Sequence, residues 1–191
     1  MQVHLIRHGN TLANEQKLYC GVTDLPLSNT GIAELVHLKS LSMYPKSADI
    51  YYTSGLLRTE QTLDLLYGSV CRVALPQFAE FNFGSFEMKS YEMLKCRNDY
   101  QAWITDEGGQ VFCPNGDNRQ TFNRRVIEGF EKLLASTQGK TTLAVVHGGV
   151  IVCIMEHLFP NARNFYEWQP KPGRGYTIEY KSAHSILYKT I

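Results

Sequence analysis

The segment 141–146 is the sequence feature that most constrains the fold, because it is apolar and carries no charged residue. A short stretch of this kind predicts a strand buried on both faces, as the central strands of a parallel sheet are. The segment ends at His147-Gly148-Gly149, and residues 150–159 then form an apolar stretch with the length of a helix. A buried strand that is followed directly by an apolar helix favours an α/β fold.

Strand and helix patterns alternate through the rest of the chain. Strands are predicted at residues 3–6, 48–53 and 70–75, with a closing hairpin at 176–180 and 185–188. Helices are predicted at 30–40, from a cap at Ser54 onwards, at 90–105 and at 120–134. The helix at 30–40 would be capped by Ser28 and would bury Ile32, Leu35, Val36 and Leu38. We therefore expect one domain over residues 1–191, a three-layer α/β/α fold with a mostly parallel central sheet.

Charge and cysteine content restrict the class of partner. The formal net charge is +1, so we expect no general affinity for nucleic acid or for an acidic membrane surface. The 5 cysteines are scattered and form no CxxC pair, which favours neither a disulfide framework nor a zinc site. No segment has the length and apolar character of a membrane span. These features predict a cytoplasmic protein.

Basic residues stand where predicted strands end. Arg7-His8-Gly9 follows the first strand, His147-Gly148 follows the strand at 141–146, and Arg58 lies near the start of the helix after the second strand. Because parallel strands present their carboxyl ends at one edge of a sheet, we expect these side chains to converge. Two guanidinium and two imidazole groups would suit a phosphate dianion. The other histidines are expected to be structural or exposed: His4, His37, His157 and His184.

Six motifs occur in order along nearly the whole chain. They are Leu5-Ile6-Arg7-His8-Gly9-Asn10-Thr11 with Asn14; Gly21 with Asp24-Leu25-Pro26-Leu27-Ser28 and Gly31; Thr53-Ser54 with Arg58-Thr59 and Gln61-Thr62; Glu80-Phe81-Asn82-Phe83-Gly84-Ser85-Phe86-Glu87; Pro114-Asn115-Gly116-Asp117 with Arg125-Val126; and Val146-His147-Gly148-Gly149. Together they resemble the histidine phosphatase superfamily, which has the phosphoglycerate mutase-like fold.

The resemblance implies a role for each site residue. His8 would be the nucleophile that takes the phosphoryl group as a phosphohistidine. Glu80 would be the general acid and then the general base, although Glu87 on the same loop stays an alternative. The loop ends Phe86-Glu87-Met88, where the family usually has Trp-Glu-Gly. The groups that would bind the phosphate are Arg7, Asn14, Arg58 and His147. No metal or other cofactor is implied, because the cationic side chains would neutralise the phosphate.

The function implied is metal-independent hydrolysis of a small phosphorylated metabolite. The acid loop and the chain length resemble the phosphatase branch, which includes enzymes acting on α-ribazole 5'-phosphate, more than the longer mutases. Phosphoglycerate mutase-type transfer and a catalytically silent phosphate-binding module stay alternatives. Residues 88–118 are expected to form a helical or loop insert that covers the site. Its aromatic residues predict either a cover for a ring-bearing leaving group or ordinary packing: Tyr91, Tyr100, Trp103 and Phe112.

Overall fold

The computed structural model describes residues 1–182 and 185–191, so His184 lies outside the described residues. Within these ranges, six strands form one sheet: β1 (Gln2–Arg7), β2 (Ile50–Thr53), β3 (Arg72–Ala74), β4 (Thr141–Val146), β5 (Gly175–Ser182) and β6 (Ser185–Thr190). Their order is β3-β2-β4-β1-β5-β6. The first four strands pair in parallel, and the β5–β6 hairpin is added antiparallel to β1. The mostly parallel sheet is therefore confirmed.

Helices connect the strands and cover the sheet. They are α1 (Leu12–Glu15), α2 (Asn29–Ser40), α3 (Leu57–Tyr67), α4 (Tyr91–Leu94), α5 (Asn98–Ile104), α6 (Arg119–Ser136), α7 (Gly148–Leu158) and α8 (Phe165–Trp168). Two single turns of 3-10 helix, Pro76–Phe78 and Gly84–Phe86, flank the segment that carries Glu80. Among the described residues, no helix combines the length and apolar character needed to cross a membrane.

Alternate residues of the central strands enter two separate cores. On one face, Val3, Leu5, Ala144 and Val146 pack with the buried sides of α6 and α7. On the other face, Ile6, Leu143 and Val145 pack with Leu35 of α2 and Leu63 of α3. Because side chains alternate across a strand, a sheet with both faces apolar needs helices on both sides. The three-layer architecture follows from this pattern.

Three local predictions differ from the structure. Ser54 does not cap α3, because Gly55 takes a left-handed conformation at φ +86° and the helix begins only at Leu57, with Leu56 at the N-cap. Val36 is 54% exposed, because the sheet-facing side of α2 is formed by Leu35 and Leu38. The predicted helix at 90–105 is divided into α4 and α5. The short helices α1 and α8 were not predicted, because a single turn is too short to show a hydrophobic period.

The sheet topology brings the predicted site residues together. Arg7 at the end of β1 pairs with Val146 at the end of β4. The backbone N–H of His8 donates to the carbonyl of Val146 at 2.9 Å, which extends the ladder beyond the strand. Thr53 of β2 pairs with Val145, so Ser54 follows at the same edge. The carboxyl ends of three parallel strands therefore meet beside His147.

Candidate active site

His8 is a buried histidine whose proton position is fixed by the backbone. Its Nδ1 lies 2.7 Å from the carbonyl oxygen of Gly9. Because a carbonyl can only accept, Nδ1 must carry the proton, and the lone pair of the neutral ring then lies on Nε2. Burial holds the pKa of His8 well below 6.5, and the charges of Arg58 and Arg7 lower it further. His8 is therefore a neutral imidazole near pH 7 with a free nitrogen.

His147 lies next to His8 at the end of β4. The two ring centroids are 5.2 Å apart, with an interplanar angle of 65°. Nε2 of His147 is 2.8 Å from the Ser54 hydroxyl, which is the contact that Ser54 makes in place of capping a helix. Nδ1 of His147 is buried and has no hydrogen-bond partner among the described residues. Burial, followed by the charge of Arg58, holds the pKa of His147 well below its usual value.

Two arginines of the site, buried Arg58 and half-buried Arg7, are held by carbonyl oxygens instead of carboxylates. Arg58, 1% exposed, donates through Nη2 to Gly21 at 2.6 Å and through Nη1 to Thr23 at 3.0 Å. Arg7 donates through Nη1 to Pro170 at 2.8 Å, and its Nε is buried without a partner in the described part of the chain. Burial lowers the pKa of Arg7, and nearby Glu80 opposes this change. Since buried charges are costly unless paired, this arrangement is suited to an anionic ligand.

Glu80 lies at the start of α7, the helix that follows His147. Its Oε2 accepts from the backbone N–H of Gly149 at 3.0 Å, and its Oε1 accepts from Phe81 at 2.9 Å. A Cβ at Gly149 would come within 2.5 Å of Oε1, so glycine is required for this approach. The carboxyl group thus lies at the N-terminus of α7 and near Arg7.

Glu87 is placed differently. Its carboxylate accepts from the backbone N–H groups of Gly21, Val22 and Thr23, from the Thr23 hydroxyl at 2.6 Å and from Phe83 N–H at 3.0 Å. With its oxygens used by backbone donors, Glu87 is suited to holding two loops together. Both carboxylates accept from backbone N–H groups, but Glu80 lines the cavity that Arg7 also lines and Glu87 does not. This difference favours Glu80 as the acid, and the assignment stays a proposal.

Asn14, in α1, lines a cavity that Arg7 and Glu80 also line. Its Oδ1 accepts from the backbone N–H and the hydroxyl of Thr11, both at 3.0 Å, as part of the capping box of α1. Because the oxygen is turned towards Thr11, Nδ2 is left to donate to a ligand.

A cavity of about 600 Å³ connects these groups to solvent. Arg7, Asn14, Glu80 and Gly149 line one part of it, while His8, Arg58 and His147 are buried beside that part and do not line it themselves. Seven of the other lining residues are aromatic, and Asp106, Arg119 and Glu156 add charged groups. The aromatic residues are Tyr19, Phe81, Phe83, Trp103, Phe122, Phe165 and Tyr166.

The expected aromatic cover is only partly correct. Trp103 lines the cavity, but Tyr100 is fully buried in the core. Tyr91 and Phe112 are 51% and 55% exposed and do not line it. Tyr19, Phe165 and Tyr166 were not predicted, because they lie in loops and short helices that only the tertiary fold brings to the cavity.

A further residue without a predicted role supports the acid loop. Arg125 of α6 donates to the carbonyls of Gln77 and Ala79 at 2.9 and 2.8 Å, and it pairs with Asp117 at 3.2 Å. It therefore fixes the segment that leads into Glu80.

Within residues 1–182 and 185–191, no group of three or more histidine, cysteine, aspartate or glutamate side chains is arranged to hold a metal ion.

The lowered pKa values of His8 and His147 predict a pH-dependent stability. The unfolded chain protonates these rings near pH 6.5, whereas the folded chain resists protonation, so the free energy of unfolding should fall as pH decreases below that value. Each ring contributes a slope of at most about 1.4 kcal/mol per pH unit. Urea unfolding at a series of pH values should show a smaller slope for His8→Asn than for the wild type. The control is His37→Asn, on the exposed side of α2. If the free energy of unfolding had the same slope against pH in His8→Asn as in the wild type, the prediction would be contradicted.

Comparisons of this chain with known proteins, by family model, by sequence and by structure, agree with one another. The family model described as histidine phosphatase superfamily (branch 1) matches residues 3–188. An adenosylcobalamin/alpha-ribazole phosphatase of Salmonella typhimurium is 33% identical over 83% of this chain and 79% of its own. A probable phosphoglycerate mutase of Yersinia enterocolitica is 28% identical over 83% of this chain and 74% of its own. The crystal structure of the alpha-ribazole phosphatase from Shigella flexneri superposes with a TM-score of 0.87 at 27% identity, covering 100% of this chain and 96% of that one.

Proposed function

Because the chain belongs to the histidine phosphatase superfamily (branch 1), we propose that its site hydrolyses a small phosphomonoester through a phosphohistidine on His8. The family and the similarity to alpha-ribazole phosphatases make the protein a phosphatase. The individual roles of the residues are our proposal. The observation that carries it is the neutral His8 ring, with its proton fixed on Nδ1, beside Arg58 and Arg7, neither of which contacts a carboxylate among the described residues.

In the first step, Nε2 of His8 attacks phosphorus and the bond to the leaving oxygen breaks. Arg7, Arg58 and His147 hold the equatorial oxygens, over which the charge of the transition state is spread. Asn14 adds a donor from the cavity wall. Glu80 delivers a proton to the leaving oxygen, so the product departs as an alcohol. The Nδ1–H···O=C bond to Gly9 holds the ring as it becomes positively charged.

In the second step, water replaces the alcohol beside Glu80. The carboxylate takes a proton from that water, the water oxygen bonds to phosphorus, and the bond from phosphorus to Nε2 breaks. Inorganic phosphate leaves and His8 returns to its neutral form.

A simple assay tests this proposal. The purified protein should release phosphate from p-nitrophenyl phosphate, and a strong chelator should leave the rate unchanged, because cationic side chains neutralise the phosphate. Wild-type protein that has not been treated with chelator is the control. Loss of activity on chelation that a divalent cation restores would contradict the mechanism.

The alternatives receive less support. A mutase must keep its phosphohistidine while the product is exchanged, and the similarity to mutases is lower than to phosphatases, at 28% against 33% identity. A silent phosphate-binding module would need neither a nucleophilic nitrogen nor an acid, so the free Nε2 of His8 and the Glu80 carboxyl group at the cavity support an enzyme instead.

The substrate is proposed to carry a ring. The relatives named as alpha-ribazole phosphatases act on a ring-bearing ribosyl phosphate, and the cavity beyond the phosphate groups has an aromatic wall that includes Trp103. Five residues of the segment 88–118 line this cavity: Trp103, Ile104, Asp106, Gly109 and Val111. Their position supports an insert that covers the site within one domain of residues 1–191.

The five cysteines are free, which supports a cytoplasmic location.

Trp103→Ala should reduce kcat/KM for α-ribazole 5'-phosphate by about tenfold, because base–aromatic stacking is lost. The loss for 3-phosphoglycerate, which has no ring, should be much smaller. Tyr91→Ala is the matched control, since Tyr91 belongs to the same segment but does not line the cavity. Equal losses on both substrates in Trp103→Ala would show that the aromatic residues of the cavity do not determine substrate specificity.

A further inference from the structure

We infer that Glu87 is a positioning residue that aligns Arg58 for phosphate binding through the loop 21–23, named here the anchor loop. The inference rests on the role proposed above for Arg58. Its basis is a layered arrangement in which Glu87, the anchor loop and Arg58 follow one another, each in contact with the next.

The inner layer is formed by the carbonyl groups of the anchor loop. Gly21 O accepts from Nη2 of Arg58 at 2.6 Å, and Thr23 O accepts from Nη1 at 3.0 Å. These bonds fix the plane of the guanidinium group, because one acceptor lies on each terminal nitrogen. The remaining N–H groups are then oriented by the fork geometry of arginine.

The outer layer is the Glu87 carboxylate, which binds the N–H groups of the same loop. Gly21 N–H lies 3.0 and 3.1 Å from its two oxygens, Val22 N–H lies 3.2 Å from Oε1, and the Thr23 hydroxyl lies 2.6 Å from Oε2. Carboxylates that accept several backbone donors make strong, charge-assisted bonds. Glu87 therefore holds the anchor loop in the conformation that directs its carbonyls at Arg58.

The separation of the charges has a functional consequence. No salt bridge joins Glu87 to Arg58 within the described residues, because the peptide groups of the anchor loop lie between them. A carboxylate in direct contact would neutralise the guanidinium and compete with phosphate. Acting through the loop, Glu87 fixes the position of Arg58 and leaves its charge for the ligand.

The anchor loop has little freedom to find another conformation. A Cβ at Gly21 would lie 1.6 Å from the carbonyl oxygen of Phe81, so the loop is packed against the segment that carries Glu80. Glu87 also accepts from Phe83 N–H at 3.0 Å. One carboxylate thus links the phosphate-binding arginine to the loop of the proposed acid.

A double-mutant cycle on inorganic phosphate binding tests the inference. Isothermal titration calorimetry would measure the Kd for phosphate in the wild type, E87A, R58K and E87A/R58K. Lysine keeps the charge but cannot bind both loop carbonyls in a fork. E87A should weaken binding about tenfold when Arg58 is present and less than about twofold in the R58K background, because residues in one network are coupled.

Asp117 offers the matched control. Its carboxylate accepts from Asn82 N–H at 3.0 Å on the same acid loop, but it contacts Arg125 instead of the anchor loop. D117A should therefore change phosphate affinity by the same factor in both backgrounds. If E87A does not fold, T23V removes only the hydroxyl that donates to Glu87 and should give a smaller loss that again depends on Arg58.

An equal loss for E87A in both backgrounds, or unchanged affinity in E87A, would overturn the inference. Neither result would affect the proposed function, which depends on turnover through His8. Conversely, a His8 variant with normal turnover would overturn the proposed function, whatever the result of the binding cycle.

Discussion

Replacing His8 by alanine is expected to lower kcat for an aryl phosphate by about 10⁴-fold or more, as loss of a nucleophile does in enzymes with covalent intermediates. The reason is that Nε2 of His8 is the nitrogen with a free lone pair in a ring whose Nδ1 proton is held by Gly9. Steady-state release of phosphate measures the effect. Near-normal turnover in His8→Ala would show that another group attacks phosphorus.

His4 provides a matched control for this prediction. It is a histidine on β1, the strand that directly precedes His8, with 5% exposure like His8, but its Nδ1 contacts Thr177 on β5 at 2.9 Å. His4→Ala should lose stability through the same type of truncation and retain kcat. Circular dichroism and the thermal midpoint of both variants separate a loss of chemistry from a loss of fold.

Replacing Glu80 by glutamine is expected to reduce kcat by about 10²- to 10⁴-fold, the usual contribution of a general acid or base. Glutamine keeps the shape of the side chain but cannot donate a carboxyl proton to the leaving oxygen. The loss should be larger for an alkyl phosphate than for p-nitrophenyl phosphate, because a nitrophenolate leaves without protonation. Comparison of kcat for the two substrates in the wild type and the variant measures this difference.

Glu87→Gln completes the comparison, since Glu87 is the other carboxylate of the same loop. It should affect both substrates by similar factors, because its proposed contribution is to the position of Arg58. If the dependence on the leaving group appeared in Glu87→Gln and not in Glu80→Gln, the acid would have been assigned to the wrong residue.

The sequence was sufficient to predict the parts of the site that follow from strand direction. Arg7 is the last residue of β1, and His8 and His147 directly follow β1 and β4. Parallel strands must place such residues at one edge of the sheet. The apolar segment 141–146 likewise predicted a central strand correctly, because burial on both faces leaves a continuous apolar stretch.

Other features depend on contacts between distant segments and could not be predicted. Ser54 has the residue type of a helix cap, but the left-handed turn at Gly55 directs it to His147 instead. Glu80 and Glu87 have the same chemistry and lie on one loop, and only the tertiary fold shows that Glu80 lines the cavity whereas Glu87 holds the loop 21–23. Tyr91 and Trp103 are both aromatic residues of one segment, and the packing of α5 decides that Trp103 lines the cavity.

The central claim is that the phosphoryl group is carried on His8, and trapping the intermediate tests it most directly. Wild-type protein would be mixed with a ³²P-labelled phosphomonoester, quenched in alkali, which preserves phosphohistidine, and analysed by peptide mapping. The account predicts that ³²P is found on the wild-type peptide that contains His8 and that none is found in His8→Ala. In Glu80→Gln, the amount of ³²P on this peptide should increase if the variant slows attack of water more than formation of the intermediate. Turnover of the wild type without label on His8, or label retained in His8→Ala, would contradict it.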